Sequence, residues 1–120
     1  MHKVLAPFVV AFLTLVAFLP QAVADKSADV VADLAIADGK LKGKTTLRVT
    51  QGQTVELRWT SDRKIELHLH GYDIEVEPKP GSPATMRFKA HASGRYPVTV
   101  HSHGGGHGEK AVLYLEVYPN

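Results

Sequence analysis

The sequence contains no cysteine. This absence excludes a disulfide framework, a thiol nucleophile and any metal site built on thiolates. Other soft ligands are scarce, since Met86 is the only methionine after Met1. An excess of charge of one sign is lacking too: after residue 24, thirteen basic residues face twelve acidic ones, and the two signs are interspersed. Nucleic acid is therefore not an expected partner, because a phosphate-binding surface needs clustered basic residues.

The sequence also lacks an apolar run long enough to cross a bilayer. Residues 4–19 form an apolar run of 16 residues that includes a proline, whereas a spanning helix needs about 20 apolar residues. Lys3 precedes this run, and an Ala-Val-Ala cleavage site ends at Ala24. This arrangement is typical of a secretory signal peptide. We therefore predict a cleavable signal peptide at residues 1–24 and one mature domain at residues 25–120, in a periplasmic or secreted protein with no membrane span after cleavage.

Amphipathic helical patterns are missing as well, and short runs of alternating polarity take their place. In one such run Val55, Leu57 and Trp59 alternate with polar residues, as in a strand with one buried face. Residues 30–37 fit a helix or an edge strand, and we favour a strand because of the strands that follow. The predicted extended runs are 30–37, 45–50, 54–60, 65–70, 72–77, 85–90, 95–101 and 111–118. Turn signals between them predict an all-β fold, a Greek-key β-sandwich of about seven strands.

Histidine is the residue type with the most unusual distribution. Six of the seven histidines follow residue 24, and five of them form two short clusters: His68 with His70, and His101 with His103 and His107. Residues two apart on a strand project from the same face, roughly 6.6 Å apart. Two such pairs on neighbouring strands would direct four imidazoles at one small volume, and the glycine-flanked His107 would reach it too. The clusters therefore predict a metal site formed by these five histidines.

Imidazole nitrogens suit copper, zinc and nickel, and the affinity of divalent metals peaks at Cu(II). Because thiolates are absent and Met86 falls on the apolar face of its predicted strand, we expect Cu(II), with Zn(II) as the competitor. Glu66, on the face of His68, and Glu109 are candidates for carboxylates that orient an imidazole ring through its second nitrogen; they also fit ordinary solvated charges. His91, in a predicted turn, is interpreted as a surface residue.

Several stretches resemble the cupredoxin-like domains of exported bacterial proteins. They are residues 67–73, 94–103 and 114–119, and the predicted strand pair at 46–60 is similar as well. The resemblance covers most of the chain after residue 24. It implies a Greek-key β-sandwich with a metal site at one end.

Blue-copper members of that family carry a cysteine, a histidine three residues later and then a methionine, together with a histidine from an earlier strand. Here Val100 stands at the cysteine position, His103 matches the downstream histidine, and no methionine follows. The earlier histidine matches His68 or His70. The missing cysteine removes the thiolate–copper bond on which blue-copper redox tuning depends, and leaves an all-histidine site as the alternative.

Three functions remain open on this sequence. The first is an exported module that binds Cu(II) for sequestration, delivery or sensing, with the metal ion and another periplasmic or membrane protein as partners. The second is a metal-free adaptor with a pH-responsive histidine surface, since histidine gains charge as the pH falls through about 6. The third is a small copper-dependent redox enzyme that uses the same histidines around an open metal position.

Overall fold

A computed structural model describes residues 2–4, 16–22, 26–101 and 108–120. Within these ranges the chain forms nine β-strands and no helix. The strands are β1 (Val30–Ala37), β2 (Lys40–Leu41), β3 (Thr46–Thr50), β4 (Thr54–Ser61), β5 (Glu66–Leu69), β6 (Ile74–Val76), β7 (Ala84–Lys89), β8 (Gly94–His101) and β9 (Lys110–Tyr118).

The strands form two mixed sheets. The first has the order β2-β1-β4-β7, and the second has the order β3-β9-β8-β5-β6. Neighbouring strands are antiparallel except for two parallel pairs, β1 with β4 and β3 with β9. The chain crosses repeatedly from one sheet to the other, and the two sheets enclose one core. The β-sandwich predicted from the sequence is confirmed.

The core comes from the alternating side chains of the strands. Leu57 and Trp59 of β4, Leu67 and Leu69 of β5, and Val98 of β8 have no measurable exposure. Because successive side chains of a strand point to opposite faces, the residues between them point away from the core. Full burial of each leucine stabilises the fold by about 1.5–3 kcal/mol. A strand that turned its leucines outward would lose this energy, so the side chains next to each leucine point to solvent.

Residues 30–37 form strand β1, which confirms the strand over the helix. A two-residue turn then leads into β2, because Ala37 pairs with Lys40. Both turn residues have left-handed backbones, Asp38 with φ 53° and Gly39 with φ 74°. Two positive φ angles are the mark of the type I′ turn, whose twist suits antiparallel hairpins.

The extended piece predicted at residues 72–77 is shorter in the structure, where β6 covers three residues. Leu69 pairs with Ile74, so the four residues between them form the β5–β6 turn. Gly71 has φ 84° and Asp73 has φ 52° within this turn. Left-handed backbone interrupts a strand, which explains why the ladder resumes only at Ile74.

The described parts of the N-terminal segment, residues 2–4 and 16–22, are exposed and have no regular secondary structure. Across the described ranges, no helix is long and apolar enough to cross a membrane. The signal peptide at residues 1–24 lies partly outside those ranges and stays a prediction.

Candidate metal centre

Strand β5 carries the first histidine cluster on its outward face. Leu67 and Leu69 are buried in the core, so His68 between them points away from it. His70 follows the last residue of β5, and its backbone N–H donates to the carbonyl of Pro97 at 3.0 Å. This bond continues the pairing of β5 with β8 and holds His70 beside His68. The ring centroids of the two histidines lie 4.1 Å apart.

Strand β8 brings His101 to the same face. It is the antiparallel neighbour of β5, with Thr99 opposite His68 and His101 opposite Glu66. Residues opposite each other in an antiparallel pair share one face of the sheet. The ring centroids of His68 and His101 accordingly lie 6.2 Å apart. The structure thus brings together histidines from two stretches about thirty residues apart.

Glu109 reaches this face because of a β-bulge between β8 and β9. The register shifts by one residue between Val98 and Thr99, with Val112 inserted on the β9 side. A shift of one residue moves the side chains beyond it to the opposite face of the sheet. Continued past the last pair, the shifted register sets Glu109 opposite His101, on the histidine face.

The two carboxylate oxygens of Glu109 contact two different histidines. Oε2 lies 2.9 Å from Nε2 of His70, and Oε1 lies 2.9 Å from Nε2 of His101. The buried hydroxyl of Thr99 donates to Oε2 at 3.4 Å and lies 2.8 Å from Nε2 of His70. Glu109 therefore links the histidines of β5 to the histidine of β8.

Asp73 also borders the cluster, beside His68. Its Oδ1 atom lies 3.9 Å from Nε2 of His68, and its side chain is 94% exposed. Together, Asp73 and Glu109 place two carboxylates beside three imidazoles, and negative charge of this kind attracts cations. The sequence analysis missed Asp73, whose only sequence signal is its place in the turn that follows the His68-Leu69-His70 alternation.

The donor set fits a divalent transition metal. The ligand atoms of His68, His70 and Glu109 all lie within 4.8 Å of one another. Small side-chain rotations would bring the three atoms close enough to contact one ion. The side chains are partly exposed, from 18% for His68 to 40% for Glu109, so they are open to solvent. Two imidazoles and one carboxylate are nitrogen and oxygen donors of the kind that zinc and copper accept.

The predicted ligands differ in where the structure places them. His68, His70 and His101 share the outward face of the five-stranded sheet. Alternation along the strands sets this direction, because a residue between two buried neighbours points outward. His103 and His107 fall in residues 102–107, outside the described part of the chain.

The two other residues singled out from the sequence also have defined positions. Glu66 lies opposite His101 in the register, on the histidine face. His91 is exposed at the turn between β7 and β8, and its ring packs edge-on against Tyr72 at 5.0 Å. His91 is thus a surface residue outside the cluster, and its substitution provides a control for substitutions of the cluster histidines.

A close-packed aromatic group supports the turn that carries His70. The ring of Tyr96 lies directly over Gly71, since a Cβ added there would be 2.4 Å from Tyr96 Cδ1. The hydroxyls of Tyr72 and Tyr96 both donate to the carbonyl of Ala92, at 3.2 and 3.0 Å. Burial raises the pKa of the Tyr72 phenol, so this hydroxyl remains a donor at neutral pH. The group fixes the backbone one residue beyond His70.

No protein-family model matches the chain, and no curated protein matches it. Several solved structures do. A chain from a heme-copper terminal oxidase dimer matches with 26% identity and a TM-score of 0.58, over 77% of this chain and 65% of that one. A copper-binding protein solved in its apo form by NMR matches with 7% identity and a TM-score of 0.58, over 78% and 92%. The fold is cupredoxin-like.

A multicopper oxidase shares the cupredoxin-like fold, with 12% identity and a TM-score of 0.58 over 77% of this chain and 45% of that one. The chain thus spans less than two thirds of both oxidase chains. These likenesses confirm the architecture that the resemblance implies. The activities named for the oxidases belong to those proteins, and what this chain binds has to be argued from its own residues.

Proposed function

We propose that this chain is an exported protein that binds Cu(II) through its histidine cluster, for sequestration, delivery or sensing. The observation that carries the proposal is the convergence of His68 and His70 with Glu109, whose donor atoms lie within 4.8 Å of one another. His103 and His107 are proposed as additional ligands from residues 102–107. The copper-binding protein with the same fold supports the choice of metal.

The chemistry of the donors favours Cu(II) over its competitors. Among divalent ions, affinity for nitrogen and oxygen ligands peaks at Cu(II), and Zn(II) follows. Sulfur ligands that favour Cu(I) are missing from the site, since the chain has no cysteine and Met86 is fully buried on β7 of the opposite sheet. When bound, Cu(II) would supply an ion that accepts one electron, and the protein residues would hold and orient it.

Each residue has a separate task in this proposal. His68 and His70 supply nitrogen donors from adjacent positions of one strand face, and the hydrogen bond from the His70 backbone to Pro97 fixes their spacing. Glu109 supplies an oxygen donor and offsets one of the two positive charges. Because an imidazole must be neutral to bind a metal, the Cu(II) affinity should fall in acid.

Isothermal titration of the mature protein with Cu(II) and then Zn(II) tests the proposal. The expected result is one tight Cu(II) site that outcompetes Zn(II). The double variant His68→Ala/His70→Ala should lose at least about 100-fold in affinity, since losing groups that merely support ligands already costs about 10–100-fold. His91→Ala is the matched control, because it removes an exposed imidazole outside the cluster. Equal Cu(II) affinity in the wild type and the double variant would refute the metal site.

A metal-free, pH-responsive surface is the second candidate, favoured by the 4.1 Å separation of the His68 and His70 rings. Two imidazoles this close repel each other when both are charged. The two candidates differ in their response to a chelator. Partner binding that changes with pH in the presence and absence of EDTA alike would favour the adaptor, whereas dependence on Cu(II) would favour the metal-binding protein.

The export part of the proposal has its own test. Expression of the full chain in a bacterium with a periplasm, followed by fractionation and intact mass measurement, should give a periplasmic species that begins at Asp25. A cytoplasmic species that retains residues 1–24 would contradict export without affecting the metal site.

A further inference from the structure

We propose that His101 does not bind the metal itself but positions Glu109 for it. This inference rests on the proposed function and assigns a separate role to one member of the histidine cluster. His101 contacts the Glu109 oxygen that points away from His70, and so holds the carboxylate in place for the ion at His68 and His70.

The two oxygens of the Glu109 carboxylate face different histidines. Oε2 faces the β5 histidines, 2.9 Å from Nε2 of His70, and also accepts the hydrogen bond from Thr99. Oε1 faces His101, at 2.9 Å from its Nε2. The oxygen that completes the donor set with His68 and His70 is therefore Oε2, and Oε1 is the oxygen available for support.

The position of His101 fits a supporting role better than a ligand role. The group of donor atoms within 4.8 Å of one another contains His68, His70 and Glu109 but not His101. The His101 ring centroid is 6.2 Å from that of His68, against 4.1 Å between His68 and His70. Its Nε2 atom contacts Oε1, whereas Nε2 of His70 contacts Oε2, the other oxygen of the carboxylate.

Support at Oε1 adds to the contacts that His70 and Thr99 make with Oε2. Glu109 precedes the first residue of β9, and its side chain is 40% exposed. A free glutamate side chain loses rotamer entropy when it is fixed in one conformation. A partner that fixes the carboxylate in advance reduces that loss at the moment of metal binding, as groups behind metal ligands commonly do.

Two substitutions of His101 separate support from ligation. His101→Gln keeps an N–H donor near the position of Nε2 but lacks an imidazole nitrogen for copper. His101→Phe keeps the size of the ring and removes the donor. We expect His101→Phe to weaken Cu(II) binding about 10–100-fold, and His101→Gln to restore affinity to within about threefold of the wild type.

Pulsed electron paramagnetic resonance of the copper-loaded proteins provides the second readout. The number of coupled imidazole nitrogens should be the same in the wild type and in both His101 variants, whereas His70→Gln should remove one. A structural disturbance alone would not be rescued by glutamine, so rescue with an unchanged nitrogen count supports the positioning role.

Three results would overturn the inference. Loss of one coupled nitrogen in His101→Gln, with the same loss of affinity as in His101→Phe, would show that His101 is a ligand. A stoichiometry of two ions in the wild type that falls to one in both variants would show a second metal position at His101. Equal affinity in the wild type and in His101→Phe would show that Glu109 needs no support. Absence of Cu(II) binding by the wild type would instead refute the proposed function on which the inference rests.

Discussion

Replacing Gly71 with alanine should destabilise this protein far more than the same change at an unobstructed glycine. Gly71 has φ 84°, and an added Cβ would lie 2.4 Å from Cδ1 and 2.6 Å from Cε1 of Tyr96. The tyrosine ring cannot swing aside without cost, because its hydroxyl donates to the carbonyls of Ala92 and Ser93 at 3.0 and 3.1 Å. Backbone strain and steric overlap therefore act together at this position.

The two costs can be estimated separately. An alanine in the left-handed region costs about 1–2 kcal/mol, and extra atoms forced into a packed site cost about 1–3 kcal/mol. Gly71→Ala should therefore lose about 2–5 kcal/mol, a large part of the 5–15 kcal/mol typical of a domain. Gly81 has a similar φ of 74° and no atom within 4 Å of an added Cβ. Gly81→Ala should thus show the strain alone, about 1–2 kcal/mol.

Urea denaturation followed by tryptophan fluorescence measures both losses. Trp59 is the only tryptophan and has no measurable exposure, so its emission reports directly on the core. A difference between Gly71→Ala and Gly81→Ala below about 0.5 kcal/mol, the usual error of additivity, would refute the reasoning. A double-mutant cycle with Tyr96→Ala gives an independent check, because removal of the ring should make Gly71→Ala less costly.

Two further predictions concern stability. The hydrogen bond from Arg58 lowers the pKa of the Glu56 carboxyl below its ordinary 4.5, so the stabilisation is complete above that pH and is lost as the pH falls through the lower, folded value. Glu56→Gln should accordingly flatten the fall of Tm below pH 4.5, and a curve parallel to that of the wild type would contradict the assignment. Leu67→Ala should cost about 2–5 kcal/mol in urea denaturation because Leu67 is fully buried. Val31→Ala, at a side chain 46% exposed, should stay within about 0.5 kcal/mol of the wild type, and equal losses at the two sites would show that exposure does not set the cost.

Much of the fold could be predicted because each strand buries one face. Val55, Leu57 and Trp59 alternate with polar residues, and that pattern alone predicted β4 and the side of it that is buried. The same alternation at Leu67, His68 and Leu69 predicted that the histidine points away from the core. Local alternation does not specify which strands pair over long distances, so the parallel pairs β1 with β4 and β3 with β9 were not predicted.

The sequence analysis named Glu109 as a candidate carboxylate beside an imidazole, but it did not predict that Glu109 contacts two histidines at once. Its side of the sheet depends on the inserted Val112, and the bulge lies within the run Ala111, Val112, Leu113. All three residues are apolar, so no break in periodicity marks the insertion. Without it, the pairing would shift by one residue and Glu109 would face away from His101. The histidines were recognisable from their spacing, whereas the carboxylate that joins them depends on a local irregularity of the backbone.

The position of β9 has a consequence for how this chain reaches its final state. β9 lies between β8 and β3, and its parallel pairing joins Thr46 to Tyr114 across most of the domain sequence. Such distant pairing forms late, because closing the long loop between the two strands costs chain entropy before any contact between them can form. A partly folded chain therefore holds β3 without its neighbour until β9 is in place, and a stop codon ahead of β9 would leave two open sheet edges rather than a slightly smaller domain.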